Sequence, residues 1–244
     1  MAAVTGTGKD TMIDLAIYGI LAVAVAAGLY RGFVHSLARL LAFFLAWVIA
    51  LGAYPSLARW VQTNTTWINT LHYYTEDSYR ITDLELWRAD VDTIPPGTMQ
   101  RIKDESTLVQ PFDRMFNQNL EAKTLRPLAL TTLKDYFNYT IVFGIANILS
   151  FLTVFALVHI GLMLLLEAAD YVFHFPVIRI WDPVGGVLVG LLYGVLVVSL
   201  VISLLPIGLV IVPGDMLTKL VDASKLLPAF ERYEWVSGIV RGII

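Results

Sequence analysis

The chain has no cysteine and little charge. Without a thiol there is no disulfide, no thiolate nucleophile and no Cys-ligated metal. Charged residues are 15% of the 244 positions, against about a quarter in a typical soluble domain. Seventeen Lys and Arg stand against twenty Asp and Glu, a formal net charge of −3, with no basic run of five or more. That balance argues against nucleic acid as a partner. His35, His72, His159 and His174 contain no i, i+4 pair, so no helical metal site is indicated. A Gly-x-Ser-x-Gly elbow and a Walker-type glycine loop are also missing. The expectation is a protein without cofactor or metal that is not an enzyme.

What the chain has is apolar length. Hydrophobic residues make up 57% of it, and the mean hydropathy is +0.69. Four stretches, 12–30, 33–54, 139–166 and 183–212, each run 19 residues or more with few or no charges. At about 1.5 Å per residue such a helix reaches about 28 Å, close to the hydrocarbon thickness of a bilayer. The predicted fold is an all-α integral membrane protein. It has four transmembrane helices as two hairpins, a large extramembrane insert and a C-terminal amphipathic helix. The lipid bilayer is its first expected partner.

A cleaved leader is the competing reading of the N-terminus, with Lys9 as its basic end, Ile13–Val25 as its apolar core and Ala22-Val23-Ala24 as its cleavage-like triplet. The apolar run continues to Tyr30 and a second span follows at once, which a retained hairpin explains better. The organisation is then a polar N-terminal tail (1–11), a first transmembrane hairpin (12–54) and an extramembrane insert (55–138). A second hairpin (139–212) and an amphipathic C-terminal segment (213–244) follow. The short hinge Tyr30-Arg31-Gly32-Phe33 forces the first two helices to pack antiparallel.

The insert carries nine Lys and Arg and eleven Asp and Glu over 84 residues. Its early part is rich in aromatics: Trp60, Trp67, Tyr73, Tyr74, Tyr79 and Trp87. They suit either the bilayer interface or a small core of the insert's own. Ile94-Pro95-Pro96-Gly97 breaks the insert, and Leu108 to Tyr136 reads as largely helical with breaks at Pro111 and Pro127. Pro176 bars one helix through the last two spans. Asp182-Pro183 is a helix start, Asp as cap and Pro at the first position. The last span is tilted, bent near Pro206 and Gly208, or emerges into water. Met216, Leu217, Leu220 and Val221 have the spacing of a surface-lying amphipathic helix.

Three groups of residues are candidates for function. Gly186, Gly190 and Gly194 step by four and lay a backbone groove along one helix face, for a second copy or for this chain's own spans. Gly28 and Gly32 share the spacing, but one sits in the hinge. Arg31, Gly32, Phe33 and Arg39 mark the hinge, and the two arginines place it in the cytoplasm by the positive-inside tendency. The tail and the insert would then face outward. Asn147, Ser150 and His159 are polar groups inside a span, suited to interhelical hydrogen bonding or to a lined pathway. An imidazole ordinarily titrates near neutral pH, so His159 leaves a pH-gated pathway open. Asn64-Thr65-Thr66 and Asn138-Tyr139-Thr140 match the glycosylation acceptor pattern and are read as chance matches.

Three motifs together carry a family resemblance. They are Asp14-Leu15-Ala16-Ile17 with Gly28-Leu29-Tyr30-Arg31-Gly32-Phe33-Val34 and Ala53-Tyr54-Pro55, then the run from Asp182-Pro183-Val184-Gly185-Gly186 to Tyr193-Gly194-Val195, then Leu226-Leu227-Pro228-Ala229-Phe230. In these the chain resembles the colicin V production protein family, over its four spans and its tail. The resemblance implies a small, multi-pass protein of the bacterial inner membrane with four spans, tied to colicin V production or export and to envelope tolerance. The chain departs from the family at His35-Ser36, where Arg-Glu is common, at Tyr193, where Arg is common, and in its large insert. Two functions are therefore expected. One is a homo-oligomeric channel or transporter-like component for toxin export or envelope homeostasis. The other is a non-transporting scaffold that recruits a secretion or envelope protein partner through 55–138.

Overall fold

The computed structural model describes residues 12–75, 84–104, 108–173, 182–212 and 215–231. The order is α1 (Met12–Thr63), α2 (Thr65–Thr75), α3 (Leu84–Arg88), α4 (Pro96–Asp104) and α5 (Phe112–Ala122), then a 3-10 turn (Arg126–Leu128). It continues with α6 (Leu133–Phe173), α7 (Asp182–Ile202), α8 (Leu205–Ile211), α9 (Asp215–Ala223) and α10 (Leu227–Glu231). Among the described residues there is no strand, only an isolated antiparallel bridge between Asp90 and Thr132. Three helical stretches are long and apolar enough to cross a membrane: Met12–Thr63, Leu133–Ala169 and Asp182–Ile211. The calls on residues 1–11, Tyr79, His174, Pro176 and the end of the tail lie outside the described residues.

Helix α1 contains the two stretches expected at 12–30 and 33–54. Its helical geometry is broken at Gly32, with φ 79° and ψ 177°. An L side chain rarely adopts that φ, so glycine belongs at this corner. After the corner the helix runs through Pro55 to Thr63, nine residues beyond the expected end. A proline inside a helix removes one backbone donor, but the residues on either side keep their own bonds. Asn64 ends this run and starts the next: its Oδ1 accepts the N–H groups of Thr66 (3.1 Å) and Trp67 (3.4 Å). The acceptor-like triplet is thus a helix cap. The last span bends at Ser203 and Leu204, just ahead of Pro206.

The chain divides into two compact units. The first holds Met1–Gly52, Leu152–Leu205 and Gly214–Trp235, and the second holds Ala53–Phe151, Pro206–Pro213 and Val236–Ile244. The second has an ordinary hydrophobic core. Phe116, Leu125, Leu133 and Tyr136 are fully buried in it, with Val91, Ile94 and Phe137 beside them. Phe116 and Phe137 stack at 4.0 Å, and Trp87 lies 5.5 Å from Phe137. Asn119 Nδ2 donates to Thr140 Oγ1 at 2.8 Å inside this unit. The aromatic-rich segment splits in two: Trp87 packs on the core, whereas Trp60, Trp67 and Tyr73 stay exposed. Pro111 precedes α5 and Pro127 lies in the 3-10 turn, at the two expected breaks.

In the first unit, α9 shows the expected two-faced pattern. Leu217, Leu220 and Val221 are half-buried, while Thr218, Lys219 and Asp222 are exposed.

Candidate functional site: the motif contacts of the spanning helices

The glycine ladder faces α1 of the same chain. A Cβ at Gly186 would fall on the carbonyl oxygen of Gly28, and one at Gly28 on the carbonyl of Gly186. A Cβ at Gly190 would stand 2.6 Å from the Ala24 carbonyl, and one at Gly194 2.8 Å from the Ala24 Cβ. Two backbones approach this closely only where side chains are absent, and in lipid such close packing is what holds helices together. The groove at Gly186, Gly190 and Gly194 is filled from within the chain. Gly28, given little weight because its partner glycine sits in the hinge, is the opposing half of the contact.

Asp182 ties the end of this contact to the corner. Its Oδ1 accepts the backbone N–H of Phe33 at 2.8 Å, and its carboxylate occupies the space a side chain at Gly32 would need. The stretch after Gly32 is a helix start with unpaired N–H groups, and a carboxylate there satisfies one of them and suits the local dipole. Asp182 therefore serves the neighbouring helix as well as opening its own.

Asp14 makes the second motif contact. It is 7% exposed, and its Oδ1 accepts from Ser224 Oγ (2.5 Å) and Leu226 N (3.2 Å). Its Oδ2 accepts from Lys225 N at 3.2 Å. These donors open the Leu226-Leu227-Pro228-Ala229-Phe230 motif, whose Leu227 is 1% exposed. A buried carboxylate needs such donors, and here the chain's own tail supplies them.

Four ionisable groups converge near the hinge. Arg31 pairs with Glu167, Arg39 Nη2 lies 3.4 Å from the same Oε1, and His35 Nε2 lies 3.6 Å from it. Arg31 Nη1 also lies 3.1 Å from His35 Nε2. Arg31 and Arg39, chosen for topology alone, are thus structural partners of one carboxylate. Glu167 lies just past the apolar stretch 139–166, and nothing local links it to residues 128 and more positions away.

His159 Nε2 and the Tyr193 hydroxyl are 3.1 Å apart, and Phe43 and Phe155 pack against the imidazole at 5.8 and 5.5 Å. Asn147 and Ser150 belong to the other unit. Asn147 is fully buried, and its Oδ1 accepts from Gln62 Nε2 at 2.6 Å. Ser150 is 3% exposed. The three span polar groups therefore do not act as one set: Asn147 has a packing partner, and His159 sits in a separate aromatic cluster. Among the described residues no group of three His, Cys, Asp or Glu has the arrangement of a metal site.

These contacts define a helical membrane protein whose packing is concentrated in a few short motifs. The chain belongs to the colicin V production protein family, whose model matches residues 13–79 and 124–234. Every motif contact above falls within those ranges, and the unmatched 80–123 covers most of the small helices of the insert. No curated protein and no solved structure matches the chain.

Proposed function

We propose that this chain is a multi-pass protein of the bacterial inner membrane with four spans in two hairpins. In this reading it supports toxin production or export, or envelope homeostasis, as a transporter-like component. Gly32 supports counting α1 as two spans, since each side of the break, 12–31 and 33–63, has at least 20 residues. The observation that carries the transporter-like reading is the convergence of Arg31, His35 and Arg39 on Glu167 among the long apolar helices. Ionisable groups in spanning helices mark pathways by default, because their burial in lipid is costly. Self-association remains part of the proposal, through a surface other than the glycine ladder.

The scaffold reading rests on a different observation, the hydrophobic core that the insert builds together with the start of α6. One experiment decides between the two. A strain lacking its own family member is complemented with the natural chain, with Glu167→Gln, or with residues 84–128 replaced by a short linker. The transporter-like reading expects colicin V production to fall to background with Glu167→Gln at normal protein level, and to survive the linker. The reverse pattern would favour the scaffold.

A further inference from the structure

The first unit contains a cavity of about 550 Å³. Most of its wall is Ala16, Gly19, Ile20, Val23, Ala24 and Ala27, with Ser36, Arg39 and Tyr193 as its polar groups. Ala16, Gly19 and Val23 are exposed, so the cavity opens on the apolar outer face of α1. Two polar groups within it lack partners. Ser36 is 6% exposed, and no hydrogen bond to its hydroxyl is seen among the described residues. Arg39 Nε is buried without an acceptor.

We propose that this cavity binds an anionic phospholipid, its acyl chain along Ala16, Gly19 and Val23 and its phosphate at Arg39 and Ser36. The volume lies in the range of ligand sites, about 300–1,000 Å³. An apolar wall with a few convergent polar groups at one end matches an amphiphile. The open Nε donor of Arg39 selects a negative head, which a guanidinium binds well. A spanning helix of a second copy fits less well, because it would have to bring an acid to Arg39. Among the described side chains, Asp14, Asp135, Glu167 and Asp182 of the long apolar helices are already engaged inside the chain. This binding site stands independently of the transporter-like reading, and its test reads binding rather than toxin production.

The test is native mass spectrometry of the full chain in detergent with phosphatidylglycerol, phosphatidylcholine or inorganic phosphate. Gly19→Phe is the filling variant, since a Cβ at Gly19 meets nothing within 4 Å. Ala16→Leu, also on the exposed wall, replaces it should it not fold. The expected result is a preference for phosphatidylglycerol of about fivefold, the factor that about 1 kcal/mol per basic side chain gives. Arg39→Gln should abolish that preference and leave phosphatidylcholine adducts in place. The filling variant should reduce both lipids, and inorganic phosphate should not displace either. Equal binding of the two lipids, adducts unchanged by filling, or displacement by phosphate would each overturn the proposal. A lipid-free dimer dissolved by the filling variant would overturn it in favour of a second copy.

Discussion

The two units of this chain are held together by different physics. In the first, the closest contacts are between backbones, at Gly28, Gly186 and Gly190, reinforced by buried carboxylates at Asp14 and Asp182. In the second, large side chains such as Phe112, Phe116 and Leu133 are fully buried against one another. Lipid and water reward burial differently. Lipid tails are as apolar as leucine, so burying leucine between spanning helices gains little, and close approach with polar contacts must do the holding. Where a chain folds in water instead, ordinary hydrophobic burial is worth about 25 cal/mol per Å². Most of the motifs that carry the family resemblance, Ala53-Tyr54-Pro55 excepted, lie in the first unit, whose contacts tolerate few residue types, while a hydrophobic core tolerates many of similar volume.

The largest expected effect comes from Gly186→Leu. The obstacle is the Gly28 carbonyl, which cannot move aside as a side chain would. The cost should exceed the about 1–3 kcal/mol of ordinary overpacking. Hydrogen exchange should show α7 losing protection while α5 keeps it. Loss of protection in both would mean that the units are not held separately. Phe116→Ala should do the converse, costing about 3–5 kcal/mol in the second unit and leaving α7 protected.

A smaller effect is expected at Asn147→Ala, which leaves the Gln62 amide without its acceptor. About 1–3 kcal/mol is the range for an unsatisfied buried group, read from a thermal melt in detergent. A neutral result would show that water reaches Gln62. The smallest effect on stability belongs to Glu167→Gln. Its side chain is half exposed, and such pairs contribute within about 1 kcal/mol. A large loss of stability there would make the cluster a structural element and remove the support for its role in transport.

Much of this was legible in the sequence, and particular residues show where legibility stops. Hydropathy located the long apolar helices, because twenty apolar residues in a row have few other uses. The corner at Gly32 was legible because Arg-Gly-Phe interrupts an apolar run. Pro55 misled, since a proline that forfeits one hydrogen bond looks the same as one that ends a helix. The ladder at Gly186, Gly190 and Gly194 was visible as a face, but spacing within a helix does not say which helix it meets. Asp14 with Ser224, and Arg39 with Glu167, are separated by 210 and 128 positions. No local pattern connects residues that far apart.

The glycine ladder at Gly186, Gly190 and Gly194 packs on the chain's own first span. The absence of cysteine makes it directly testable, because a pair of introduced thiols has no competitors. Ala24→Cys and Gly194→Cys place their Cβ atoms about as near as a disulfide allows, roughly 3.5–4.5 Å after slight relaxation. The double variant, oxidised in membranes, should give a monomer of 27.2 kDa in which the two cysteine peptides are linked within one chain. A disulfide-linked dimer in place of that internal bridge would contradict the claim, and the ladder would then be an oligomer contact.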